Sequence, residues 1–235
     1  MRRGIRGAGG ATQYGLASVT AEAGVLAHLS AQSGITQAGT GVSSWVERKA
    51  ARDFVQGTDA NRPTYEAAGL GGRPSVLWVK ANSDALVCAS GPASTTKNYS
   101  LIAVVDPVTN GTAEYLLDSE AGRAAFCLNV NASSNVGYLD GAAFDAIAAS
   151  TLPPQILRWT ITSGNALEVF RGNTSLGTAT ATSNDLGGAC GVGCNFAAGA
   201  NIDARISEIV LCDTLDSARD ARIMGYFSAY YGIAL

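Results

Sequence analysis

The sequence is poor in charge, and this scarcity limits the partners that it can bind. Asp, Glu, Lys and Arg make up 15% of the 235 residues, and the formal net charge at pH 7 is −3. Such a weak, slightly acidic balance lacks the basic surface that captures nucleic acid or an anionic membrane. No stretch approaches the roughly 20 consecutive apolar residues that cross a bilayer, and the N-terminus has no apolar run of signal-peptide length. We therefore expect no nucleic-acid partner and no membrane partner.

Residue types that carry catalysis are also scarce. The one histidine, His28, stands in the apolar run "VLAHLS" without a second histidine that could share a metal ion or a proton with it. The sequence contains no Gly-x-Ser-x-Gly turn and no glycine loop that would cradle a phosphate. These absences predict a structural role for His28 and no enzymatic activity.

The cysteines form an odd set that is spread widely along the chain. Each lies in or beside an apolar, strand-like stretch, which favours buried free thiols. The closest pair, in "CGVGC", has neither a second cysteine pair nor a histidine nearby, and this disfavours zinc binding or redox chemistry. The cysteines are Cys88, Cys127, Cys190, Cys194 and Cys212.

Short β-type runs separated by turn residues are what the sequence has in abundance. From residue 25 onward, runs rich in Val, Ile, Leu and aromatic residues alternate with Gly, Asn, Asp, Pro and Ser, as in an antiparallel sandwich. The clearest hairpin is "ALEVFRGNTSLGTATA", because Gly172 and Asn173 accept the left-handed backbone of a tight turn. No linker or charge block divides the chain. We predict one all-β domain over residues 24–235, a two-sheet antiparallel sandwich.

Residues 206–235 change from a strand pattern to a helix pattern. "ISEIVLCD" predicts a strand with one well-buried face. Asp213 or Thr214 is then expected to cap a short helix that Gly232 ends. An aromatic stripe at helical spacing usually faces a core, so we expect the helix to clasp the sandwich rather than to bind a ligand. The predicted apolar stripe comprises Leu215, Ala218, Ile223, Phe227 and Tyr230.

Residues 1–23 have a different composition from the rest of the chain. They are rich in glycine and show no sustained apolar period, so they cannot bury enough surface to order themselves. We predict a flexible N-terminal arm that becomes ordered against a neighbouring subunit. Its arginines, Arg2, Arg3 and Arg6, would pair there with carboxylates.

Several segments resemble the concanavalin A-like, laminin-G-type jelly rolls of phage virion proteins and bacterial surface proteins. The succession "ISEIVLCD", "LDSARDARIMGYF" and "YYGI" is similar to the close of these domains. "GVLAHLSAQSGI" and the segment through "ANRPTY" are similar to their opening, and "YSLIAVV" and "NALEVFRGNTSLGTA" to their middle. The resemblance covers residues 24–235 and implies a lectin-like jelly roll with a short C-terminal helix.

The sequence also departs from this family at several positions. Lys80 and Ala81 follow the strand "SVLWV", where the family often has an acidic residue and a glycine. His28 and Ser30 stand where an aromatic and an acidic residue are common. No ligand or calcium role is therefore carried over to these positions.

The resemblance implies two alternative functions. The first is a non-enzymatic structural virion protein, such as a capsid decoration, a spike or a tail-associated protein. Such a protein would be made in the host cytoplasm, anchored to other virion proteins by its arm, and homo-oligomeric. The second is a carbohydrate-binding module that attaches to host or surface glycans. Related glycan-cleaving enzymes place carboxylates on one sheet face through a Glu-x-Asp-x-x-Glu strand, which this sequence lacks, so we do not expect a hydrolase.

Sugar binding is expected to centre on Trp45. This residue lies in the polar segment "VSSWVERK", where an exposed indole could stack on a sugar, with Asn82 and Asp84 as polar neighbours. Trp78 and Trp159 lie in apolar runs and are expected in the core. No cofactor is expected. Calcium is the one alternative, although the acidic residues match the spacing of no fixed calcium loop.

Overall fold

A computed structural model describes residues 14–94, 96–109, 114–121, 124–129, 135–140, 143–149, 153–181 and 186–235. These residues form seventeen β-strands and two α-helices, with short 3₁₀ helices at Asp59–Asn61 and Lys80–Asn82. The helices are α1 (Leu16–Ala21) and α2 (Ser217–Tyr231). The strands are β1 (Val25–Ser30), β2 (Ile35–Ala38), β3 (Gly41–Val46), β4 (Asp53–Val55), β5 (Thr64–Leu70), β6 (Arg73–Trp78), β7 (Leu86–Cys88), β8 (Tyr99–Pro107), β9 (Glu114–Ser119), β10 (Ala125–Asn129), β11 (Asn135–Asp140), β12 (Ala143–Ala149), β13 (Gln155–Ile161), β14 (Ala166–Arg171), β15 (Thr174–Thr180), β16 (Cys190–Val192) and β17 (Ala204–Cys212).

The strands of the described residues pair antiparallel and form two layers. One layer has the order β1, β17, β8, β13, β14 and β15. The other runs from β3 through β4, β7, β16, β9, β10 and β11 to β12. The pair β5 and β6 joins the layers, because β6 pairs with β17 and β5 with β3. The predicted all-β antiparallel sandwich with a short C-terminal helix is confirmed.

Strand β8 is buried on both faces, which explains its unbroken apolar run. Side chains alternate between the faces of a strand. Leu101 and Ala103 therefore point into the main core between the layers, while Ile102 and Val104 lie on the opposite face, in a second cluster under α2. The sequence shows no polar alternation here because both faces exclude water. Helix α2 thus forms a third layer.

Helix α2 begins later than predicted. Its N-cap is Asp216, whose carboxylate accepts hydrogen bonds from two backbone N–H groups of the first turn, at 3.0 and 2.9 Å. The predicted cap at Asp213 or Thr214 is wrong, because both residues precede the helix and the Thr214 hydroxyl accepts a hydrogen bond from Arg219 at 2.9 Å. Gly232 ends the helix with a φ of +70°, as predicted.

The buried face of α2 is rotated from the predicted stripe. Ile223 and Phe227 belong to it as predicted, whereas Leu215 precedes the helix and is 42% exposed. Ala218 is exposed and Tyr230 is only half-buried. The prediction that the helix clasps the sandwich is confirmed, because its apolar side chains share one buried cluster with β1, β8, β13 and β17. These side chains are Ile223, Met224, Phe227 and Tyr231.

Other local predictions agree with the structure. The hairpin of β14 and β15 turns at Gly172, which has a φ of +54°. Trp78 and Trp159 are fully buried, and the five cysteines are buried free thiols. Burial raises the pKa of Cys194 and of Cys212 to about 12, so these thiols remain protonated and unreactive. No helix in the described part of the chain is long and apolar enough to span a bilayer.

The predicted arm is described only in part. Residues 14–23 include helix α1, whose Val19 is buried in the same cluster as α2. Arg2, Arg3 and Arg6 lie outside the described residues. The flexible arm, and its boundary with the domain, stay predictions.

Candidate functional site

An open cavity of about 310 Å³ lies beside helix α2. Tyr226 and Tyr230 are four residues apart on α2 and so face the same side of the helix. Ala229, which lies between them in the sequence, is exposed and also lines the cavity. Tyr14 comes from the residues before α1, and Arg73 opens β6 after the tight turn from β5. We call this site, lined by Tyr14, Arg73, Tyr226, Ala229 and Tyr230, the tyrosine pocket.

The rings of the tyrosine pocket form a connected set. The ring centroid of Tyr226 lies 6.1 Å from that of Tyr14 and 5.8 Å from that of Tyr230. The guanidinium carbon of Arg73 lies 4.3 Å from the Tyr230 ring centroid. Arg73 Nε also donates a hydrogen bond to the Tyr230 carbonyl oxygen at 3.1 Å, which fixes the plane of the guanidinium. The pocket therefore combines aromatic faces with one oriented cation.

The lining of the pocket carries one positive charge at neutral pH. The Tyr14 hydroxyl donates a hydrogen bond to Glu22 at 3.0 Å, and Arg222 binds both oxygens of that carboxylate at 2.9 and 2.8 Å. The hydrogen bonds from Arg222 lower the pKa of Glu22, so this pair stays ionised and neutral overall. Burial raises the pKa of Tyr14 and of Tyr226, which keeps both phenols uncharged. The remaining charge in the lining belongs to Arg73.

A buried polar network lies next to the tyrosine pocket. The carboxylate of Glu208 on β17 accepts hydrogen bonds from Ser30, Gln32 and Tyr231 at 3.0, 2.8 and 2.6 Å, and lies 3.0 Å from His28 Nε2. These partners satisfy a carboxylate that is fully buried. His28, Ser30 and Glu208 are all inaccessible to solvent, so their grouping cannot meet a substrate. The network joins β1, β17 and α2, in keeping with the structural role predicted for His28.

Trp45 does not offer a sugar-stacking surface. It lies in strand β3, is 0% exposed, and donates a hydrogen bond from its indole Nε1 to the Ser30 carbonyl oxygen at 3.1 Å. Its ring centroid lies 5.9 Å from that of Trp78, within the main core. The predicted exposed indole is wrong, because strand pairing turns this side chain between the two layers.

Asn82 and Asp84 are not brought together with Trp45 in an open site. Asn82 is exposed at the end of a 3₁₀ helix. Asp84 is buried and accepts a hydrogen bond from the backbone N–H of Val79 at 2.8 Å, while its carbonyl oxygen accepts one from Asn201 at 2.8 Å. Within the described ranges, no group of three or more His, Cys, Asp or Glu side chains is arranged to hold a metal ion.

Replacing Asp84 with asparagine is expected to stabilise the protein at neutral pH. Burial, aided by the charge of Asp203, raises the pKa of Asp84 from 3.8 to about 6, and its Oδ1 atom has no hydrogen-bond partner. Between these pH values the folded state keeps a proton that the unfolded state releases, so the free energy of unfolding falls as pH rises. Asp84→Asn removes this loss and should gain up to about 3 kcal/mol at pH 7 and nothing near pH 4.

Urea denaturation between pH 4 and pH 8 measures this effect. Asp216→Asn serves as a control of opposite sign, because the N-cap hydrogen bonds lower the pKa of Asp216 and its contribution is lost as pH falls. Parallel stability curves for Asp84→Asn and the wild type would contradict the prediction.

Sequence reasoning missed the tyrosine pocket. Tyr14 falls within the predicted arm, Arg73 belongs to no predicted site, and Tyr230 belongs to the predicted apolar stripe of the clasp. The spacing of Tyr226 and Tyr230 is the one signal of the pocket that the sequence offers. It places both rings on one side of the helix, next to the buried side that carries Phe227.

No protein-family model matches this chain, and no curated protein matches it. Solved structures are similar over most of its length. The binding domain of Paraclostridial Mosquitocidal Protein 1 gives a TM-score of 0.61 at 6% identity, covering 92% of this chain and 56% of that one. Another similar structure is domain 4 of AbnA, a GH43 extracellular arabinanase from Geobacillus stearothermophilus, solved with arabinotriose. It gives a TM-score of 0.58 at 12% identity, covering 85% of this chain and 97% of that one.

A sialidase is similar over part of its own length. Trypanosoma rangeli sialidase in complex with the inhibitor DANA gives a TM-score of 0.56 at 15% identity over 86% of this chain. This chain spans 33% of the sialidase. At such identities the likeness concerns the fold alone, and the chain shares a β-sandwich fold with domains of these proteins.

Proposed function

We propose that this chain is a non-enzymatic carbohydrate-binding module whose binding site is the tyrosine pocket. The observation that carries the proposal is the convergence of three tyrosine rings and one arginine on a single open cavity. Aromatic rings stack on the apolar faces of sugar rings, and phenol and guanidinium groups hydrogen-bond sugar hydroxyls. A volume of about 310 Å³ is at the small end of ligand sites and suits a short saccharide.

The composition of the pocket lining supports binding without cleavage. Glycoside hydrolysis generally needs two carboxyl groups that flank the bond to be broken. Among the described residues that line the pocket there is no carboxylate, and Glu22, which binds Tyr14, is already held by Arg222. The similarity to the arabinanase domain solved with arabinotriose supports sugar binding by analogy of fold.

Replacing Tyr230 with alanine is expected to weaken glycan binding by about tenfold or more, because stacking and the Arg73 contact are lost together. A glycan array identifies a ligand for the full chain, and isothermal titration then compares the variant with the wild type. Tyr65→Ala is the matched control, because Tyr65 is a half-buried tyrosine of β5 outside the pocket lining. Absence of glycan binding by the wild type, or binding that survives Tyr230→Ala, would refute the proposal.

The structural virion role stays a prediction. It depends on an arm whose arginines lie outside the described residues, and on partners such as other virion proteins that only a particle would supply. Sugar binding and particle assembly are compatible, since a decoration or tail-associated protein could use the tyrosine pocket for attachment.

A further inference from the structure

We propose that the tyrosine pocket selects sugars that carry a carboxylate, such as uronic or sialic acids. This inference rests on the proposed function and adds to it the chemical class of the ligand. It is carried by Arg73, the charged member of the pocket lining.

Arg73 is oriented but not neutralised. Its Nε donates a hydrogen bond to the Tyr230 carbonyl oxygen and its guanidinium carbon lies over the Tyr230 ring, so the guanidinium is held in place at the pocket. The side chain is exposed, and within the described part of the chain it forms no ion pair. Arginines elsewhere in the molecule do pair with carboxylates, as Arg205 does with Glu66 and Arg222 with Glu22.

The geometry of the guanidinium favours a carboxylate. Its remaining N–H groups form a planar fork, which matches the two oxygens of a carboxylate. The tyrosines add aromatic surface, which a small inorganic anion could not use but a sugar ring can. A ligand that fits both features is a short saccharide that presents a sugar ring to the tyrosines and a carboxylate to Arg73.

The charge of the pocket favours a single negative charge. Arg73 is the cation of the lining, and the adjacent Glu22 and Arg222 cancel one another. A sugar with one carboxylate therefore matches the one positive charge that the lining carries. A heavily sulfated saccharide would need further cations than this lining holds.

Matched sugar pairs test this selectivity. Isothermal titration of the full chain at low ionic strength compares sialyllactose with lactose and glucuronic acid with glucose. It also compares sulfated lactose with lactose and with sialyllactose. We expect each carboxylated sugar to bind about tenfold or more tightly than its neutral partner, because the hydrogen bonds to Arg73 are charge-assisted. Added salt should weaken only the binding of the acids.

Variants of Arg73 identify the group that selects. Arg73→Gln should reduce the ratio of acidic to neutral affinity to about one, whereas Arg73→Lys should keep part of it because the charge remains. Lys49→Gln is the control: it removes an exposed cation outside the lining and should leave the ratio unchanged.

The outcomes distinguish the two proposals. Equal binding of neutral and acidic sugars would overturn the selectivity and leave the glycan-binding function standing. Tighter binding of sulfated lactose than of sialyllactose would also overturn it. A ratio that persists in Arg73→Gln would show that another group selects. Binding of no sugar at all would refute the proposed function itself.

Discussion

Replacing Arg219 with alanine is expected to destabilise the fold by about 3 to 5 kcal/mol. Arg219 on α2 is 1% exposed, and its guanidinium donates hydrogen bonds to the Asp220 carboxylate at 3.0 and 2.7 Å. It also donates to the Thr214 carbonyl oxygen at 2.8 Å and to the Ser100 hydroxyl on β8 at 3.1 Å. The substitution would leave the buried charge of Asp220 without its closest cation and would loosen α2 from the sheet.

Urea denaturation of wild type and variant measures this loss. Arg222→Ala is the matched control, because Arg222 lies on the same helix but half exposed, and its pair with Glu22 faces solvent; we expect little change. The double variant Arg219→Ala/Asp220→Ala should recover part of the stability, because it removes a buried carboxylate whose remaining cation, Arg158, is 3.7 Å away. A loss in Arg219→Ala no greater than in Arg222→Ala would contradict this account.

Phe227→Ala is expected to cost about 3 to 5 kcal/mol through lost burial and the cavity left behind. Phe227 is 0% exposed and packs between α2 and the outer face of β8, in the cluster that includes Ile102 and Val104. Thermal and urea unfolding measure the loss. Leu215→Ala is the control, because Leu215 is 42% exposed and its truncation should change stability by less than about 0.5 kcal/mol. An unchanged melting temperature for Phe227→Ala would mean that α2 does not clasp the sandwich.

Local chemistry explains which parts of the fold could be predicted. Gly172 and Gly232 occupy left-handed positions in a hairpin turn and at a helix end, and both roles depend on the backbone freedom of one residue. The apolar runs of β8 and β17 likewise allow the burial of these strands to be predicted from the sequence alone. The N-cap could not be placed, because Asp213, Thr214 and Asp216 are all good caps, and the choice depends on how Arg219 engages Thr214.

The burial of some single side chains could not be predicted, because it depends on tertiary contacts that the sequence does not show. Trp45 follows two serines in the polar segment "VSSWVERK", which predicts a loop. The pairing of β3 with β2 and β4 makes it a strand residue instead, and Trp78 and the Ser30 carbonyl oxygen complete its surroundings. The tyrosine pocket shows the same limit, because Tyr14, Arg73 and Tyr230 meet only when three distant segments are packed together.

The position of β17 affects how the chain can fold. This strand lies between β1 and β8, and its Glu208 bonds to His28 across a sequence separation of 180 residues. Closing such long-range pairs is slow, because the entropy of the intervening chain must be lost before the contacts repay it. Until residues 204–212 are added, β8 and β1 each present an open edge to other chains. Newly made or partly refolded chains are therefore most exposed to misassociation just before this strand inserts.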